Sequence, residues 1–99
     1  MGYISGIVRQ RVAFAGAGNS TITVAANRQA NIVYIDGSAA ATVNMSVSVG
    51  ATVVWDGYAQ EPFRQNLGTA GVGSGTLGDN ITVTASGACI LYIGYRLFD

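Results

Sequence analysis

Few residues of this chain have the types and spacing that chemistry needs. Gly73-Ser74-Gly75-Thr76-Leu77-Gly78 spells G-x-G-x-x-G, a spacing that can bring backbone close to a pyrophosphate. That use requires a strand before the glycines and a helix after them. Here an Ala/Gly stretch precedes them and a strand-like run from Ile81 follows, so nucleotide binding is not expected. The acids are Asp36, Asp56, Glu61, Asp79 and Asp99. Glycoside hydrolysis needs two acids across a cleft, but Asp36 and Asp56 each precede a glycine and read as turn residues. Asp79-Asn80 offers too few oxygens for calcium. Cys89 is the single cysteine, set in the apolar run Cys89-Ile90-Leu91-Tyr92-Ile93, and reads as a small buried hydrophobe. A nucleophilic thiol would want a histidine or a helix N-terminus beside it, and the chain has no His. The usual general base and the usual metal ligands are therefore missing. The expectation is a non-enzymatic protein with no cofactor and no metal.

Two further groups could make contacts. Trp55, Tyr58 and Phe63 gather around Asp56-Gly57. Such rings could stack on a sugar, with Asp56, Gln60 and Arg64 supplying hydrogen bonds, although packing in a core or against a subunit is their ordinary role. Tyr34, Tyr92 and Tyr95 read as packed, with the hydroxyl reaching a polar partner. Every basic residue is an arginine: Arg9, Arg11, Arg28, Arg64 and Arg96. They form no run, and they balance five acids to a net charge of zero, so no basic field exists to grip nucleic acid. Arginine suits planar pairing and interfaces. Solvated side chains on an outer face are the plain reading of these five; intersubunit salt bridges and capsid contacts are the sharper one.

The elements that must position these residues are strands. Val, Ile and Thr total 27 of 99 residues, against four Leu, one Glu and no Lys. Branched side chains suit a pleated, half-buried surface, and the long helix formers are scarce. Residues 42–49 alternate strictly, with Val43, Met45, Val47 and Val49 facing one way and Thr42, Asn44, Ser46 and Ser48 the other. Residues 80–85 repeat the pattern through Ile81, Val83 and Ala85, and residues 21–24 through Ile22 and Val24. Gly50 breaks the chain between strands 42–49 and 52–56. Asp36-Gly37 and Asp56-Gly57 predict two type I′ hairpins. Residues 25–30 form a loop or one helical turn. Pro62 makes residues 58–64 an edge strand or a loop. Residues 66–79, with five glycines, predict a long flexible loop. The longest strands lie at the two ends. In residues 3–14, Ile4, Val8, Val12 and Phe14 oppose Arg9 and Arg11. In residues 88–98, Cys89, Leu91, Ile93, Tyr95 and Leu97 oppose Ile90, Tyr92 and Phe98.

Seven or eight short strands with regular turn signals and no helical period predict one all-β domain over residues 1–99. It is an antiparallel β-sandwich, with the jelly roll as one form of it. Its core is expected from Ile22, Val24, Val43, Met45, Val47, Ile81 and Val83. The start lacks a basic n-region and an apolar h-region, and no apolar stretch approaches 18 residues, so neither export nor a membrane partner is expected.

Charged residues make up only 10% of the chain. So neutral an exterior favours association. A final strand apolar on both faces needs a second cover, which is expected from another copy. The chain thus resembles small virion proteins of tailed bacteriophages: head decoration (cement) proteins and short spike or fibre modules. The likeness is one of composition, a β-rich chain free of Lys and His with Ala/Gly/Thr/Ser strands. It implies a homotrimer, located in the virion, that clamps the major capsid protein and stabilises the head. In that scheme Ile90, Tyr92, Arg96 and Phe98 form the subunit interface. Arg9, Arg11, Trp55, Tyr58, Phe63 and Arg64 are candidates for capsid or ligand contact. The alternative is a tail spike, fibre or carbohydrate-binding module that uses the aromatic turn around Trp55.

Overall fold

A computed structural model of the protein describes residues 6–59 and 62–98. Eight strands follow one another: β1 Val8–Phe14, β2 Gly18–Ile22, β3 Gln29–Ser38, β4 Val43–Val49, β5 Thr52–Ala59, β6 Phe63–Asn66, β7 Ile81–Ala85 and β8 Cys89–Phe98. They form two four-stranded antiparallel sheets, ordered β1-β8-β3-β6 and β2-β7-β4-β5. The first strand pairs with the last, the second with the seventh, the third with the sixth and the fourth with the fifth. This is a long hairpin folded over on itself, the connectivity of a jelly roll. Its tip is the tight turn at Gly50, where φ is +58°, a conformation that suits a residue without Cβ.

Alternation decides which side chains meet between the sheets. Val43, Met45, Val47 and Val49 of β4 and Ile81, Val83 and Ala85 of β7 are buried as the pattern predicts. They face Val12 of β1, Ala30, Ile32 and Ile35 of β3, and Cys89, Leu91, Ile93 and Tyr95 of β8. Val24 is buried just beyond β2, and Ile22 packs against the same core. Burial pushes the Cys89 thiol above its ordinary range, which fits an inert packing role. Val8 is exposed at the start of β1, so the inward stripe of that strand begins at Val12; Tyr3 and Ile4 lie outside the described residues.

Neither Asp-Gly pair makes a hairpin. β3 and β5 run straight through Asp36-Gly37 and Asp56-Gly57, and none of the four residues has a positive φ. The cause is tertiary. Asp36 and Gly37 are paired on both sides, with Arg64 and Phe63 of β6 and with Tyr92 and Leu91 of β8. Gly37 is small because the Phe63 ring lies against it; a Cβ there would stand 2.6 Å from Cε1. The strand after Pro62 is an edge strand, as expected, and residues 25–28 close a single turn through the Arg28 N–H on the Ala25 carbonyl.

The glycine-rich segment is a loop, but it is pinned. Ile32 and Val72 exchange two backbone hydrogen bonds of 2.8 and 2.9 Å. The Leu67 and Gly78 amides donate to the Val33 and Arg28 carbonyls, and the Asn31 side chain donates to Ala70. Ser74 donates to Asp79, and Arg96 Nε to the Thr69 carbonyl. The segment contains no helix, so its G-x-G-x-x-G spacing builds no dinucleotide site.

Candidate functional site

One bulge sets the outward face of the first sheet. Ile32 pairs with Tyr95 while Tyr34 pairs with Gly94, so Val33 is an extra residue and the alternation of β3 inverts there. Ile32 consequently faces the core and Tyr34 faces out. Beyond the bulge the period of two places Tyr34 and Asp36 side by side. Arg9 and Arg11 of β1, Arg64 of β6 and Ile90, Tyr92 and Arg96 of β8 occupy the same face by register.

Asp36 is the hub. Arg64 grips it in fork geometry, through Nε to Oδ1 and Nη2 to Oδ2, the latter at 2.7 Å. Arg9 Nη1 donates to Oδ2 at 3.0 Å and to the Tyr34 hydroxyl at 3.1 Å. Each guanidinium also lies over a ring. Arg9 sits 4.2 Å from the Tyr92 centroid, and Arg64 sits 4.4 Å from that of Tyr34. Tyr34 in turn rests on Gly94, where its ring fills the space of a side chain. Two long, flexible cations are thus held flat on an open sheet.

Hydrogen bonds from Arg64, reinforced by those from Arg9, hold the Asp36 carboxyl below its ordinary range against the opposing effect of burial. The Tyr34 hydroxyl and then Asp36 raise Arg9, and Asp36 raises Arg64, so both stay charged. A carboxyl whose folded pKa is depressed contributes stability that is fully present above its unfolded value, about 3.9. That contribution is lost as pH falls through the folded value. Asp36→Asn is expected to melt a few degrees lower than wild type at pH 7 and to narrow the gap between the two at pH 3. Melting curves at both pH values check this; an equal gap at each would show that the ion pairs add nothing.

The candidates from sequence divide as follows. Arg9, Arg11, Arg64, Ile90, Tyr92, Arg96 and Phe98 all belong to this one face, so the residues assigned to subunit packing and to capsid contact are interleaved. The outward side of β8 also finds part of its second cover within its own chain, because Arg9 covers Tyr92 and Tyr34 covers Gly94. Ile90 stays exposed, beside a shallow groove of about 310 Å³ between Phe63 and Tyr92.

Trp55, Tyr58 and Phe63 do not form one platform. Trp55 pairs with inward-facing Val47, and Phe63 with Gly37 opposite Leu91. Their rings stack at 5.4 Å and 22°, closing the gap between edge strands β5 and β6. Tyr58 points away from both, onto the outward face of the second sheet, where it is 72% exposed. Gln60 and Glu61 lie outside the described residues. Sequence reasoning gave no site role to Tyr34 or Asp36. Dropping the turn at Asp36 would have revealed them, since a strand through 34–36 puts both on one face.

No protein-family model matches this chain, and no curated protein matches it significantly. Among solved structures it is similar to the insecticidal delta-endotoxin Cry8Ea1 of Bacillus thuringiensis, with a TM-score of 0.52 and 14% identity. The match covers 89% of this chain and 19% of the toxin chain, so the protein spans less than a fifth of that toxin's length. At such identity the likeness is one of fold.

Proposed function

We propose that the protein is a non-enzymatic structural component of a tailed-phage virion. In this reading it is a head decoration protein whose copies join as a trimer and seat on the major capsid protein. The observation that carries it is the Arg9–Asp36–Arg64 lattice stacked on Tyr34 and Tyr92 on an open, flat face. Arginine and tyrosine are the residues that carry binding energy at the centre of protein interfaces. Side chains fixed before docking lose less entropy on binding. Many copies, each adding a modest contact, would reinforce a shell through avidity.

On this reading Ile90, Tyr92, Arg96 and Phe98 meet other copies, and Arg9, Arg11 and Arg64 reach the capsid. Purified protein mixed with empty heads should sediment with them, and Arg9→Glu/Arg64→Glu should reduce retention at least about tenfold, the effect of losing one strong contact. Failure of the wild type to sediment, or equal sedimentation of the variant, would overturn the assignment. The carbohydrate-binding alternative loses its Trp55–Phe63 platform to the sandwich and retains Tyr58.

A further inference from the structure

The second sheet presents a face of different chemistry. Asn44 stands opposite Tyr58, and Ser46 stands between Asp56 on one side and Thr84 on the other. Facing side chains in such pairs are about 5 Å apart, and successive outward pairs about 7 Å apart. Two adjoining rows therefore form a patch about the size of a sugar ring or two. A shallow depression of about 430 Å³ lies over it, within the range of small-ligand sites.

Three groups there are unspent. The Tyr58 hydroxyl, the Asp56 carboxylate and the Asn44 side-chain amide have no hydrogen-bond partner among the described residues. The Asn44 backbone is held at both ends by Ser86, whose hydroxyl accepts from the Asn44 N–H and whose N–H donates to the Asn44 carbonyl, each at 2.9 Å. The amide is thus carried on a fixed strand. By register no arginine lies on this face, while four lie on the other.

That combination selects a ligand class. Asp56, the only charged side chain on this face among the described residues, repels anions. An exposed ring favours a flat apolar surface. A carboxylate, an amide and two small hydroxyls favour a ligand dense in hydroxyl groups. A neutral saccharide has both properties, an apolar C–H face and a rim of hydroxyls. We propose that this face binds a neutral saccharide, with Tyr58 as the stacking platform and Asp56 and Asn44 accepting from and donating to adjacent hydroxyls. The site lies on the sheet opposite the Arg–Tyr lattice and does not depend on the structural role proposed above.

The test is an NMR titration of the ¹⁵N-labelled full chain with neutral gluco-, galacto- and manno-configured trisaccharides and their sulfated counterparts. At least one neutral sugar should give saturable shifts of the Asn44, Ser46, Asp56 and Tyr58 amides. Its sulfated counterpart should bind more weakly. Tyr58→Ala should weaken binding at least about tenfold, the equivalent of one aromatic stack. Thr21→Ala, on the far strand of the same sheet, should titrate like the wild type. No saturable shift with any neutral sugar, tighter binding of a sulfated one, or a Tyr58→Ala curve equal to wild type would each overturn the proposal.

Discussion

Leu91→Ala is expected to lower folding stability by about 2–5 kcal/mol, a large share of the roughly 5–15 kcal/mol that holds a domain of this kind together. Leu91 is fully buried on β8, flanked by Val12 of β1 and Gly37 of β3, and faces the β4–β7 side chains across the sandwich. Truncation removes its transfer free energy and leaves a cavity that a sheet paired on both sides cannot easily close. Urea unfolding should show a lower midpoint with an unchanged slope. Leu77→Ala is the matched control. Leu77 is 51% exposed in the pinned loop, and its loss should stay within about 0.5 kcal/mol. If the two variants unfolded alike, the assignment of β8 to the centre of the core would be wrong.

Gly94→Val should destabilise by about 1–3 kcal/mol, and by a different route. Gly94 is buried on the outward side of β8 because the Tyr34 ring lies directly on it. Any Cβ there collides with that ring. Displacing the ring releases the platform under Arg64 and the hydroxyl that accepts from Arg9. The cost is therefore coupled to Tyr34. In a double-mutant cycle, Tyr34→Ala should recover part of the loss in the Gly94→Val background, because the collision is gone. Strictly additive effects would contradict the contact.

The strands that carry the inner face of the second sheet were legible because their signal is local. Residues 43–49 and 81–85 alternate without interruption, and each buried side chain lies where the period of two puts it. Residues 88–98 likewise read as one long strand apolar on both faces, and β8 spans Cys89–Phe98, between β1 and β3. What the sequence misplaced depends on partners far away in the chain. Asp-Gly is a strong turn signal, but Asp36 is held extended by arginines 27 and 28 residues distant. The bulges are equally silent. The one at Val33 turns Tyr34 outward to found the Arg–Tyr lattice. A second, at Val54, lets Val53 pair outward with Ser48 while Trp55 pairs inward with Val47. A single inserted residue inverts every side chain beyond it, and nothing in the composition of residues 32–35 or 53–55 announces one. That is why Trp55, whose ordinary role was packing, also stood among the contact candidates, and why Tyr34, read as packed with its hydroxyl on a polar partner, was given no site role.

The reading of the first sheet as an assembly surface is tested most directly by the mass of the native chain in solution. Light scattering on the gel-filtration peak at micromolar concentration should give three times the chain mass of 10.2 kDa. A stable peak at 10.2 kDa would mean that the Arg–Tyr face remains wet, and it would contradict the account.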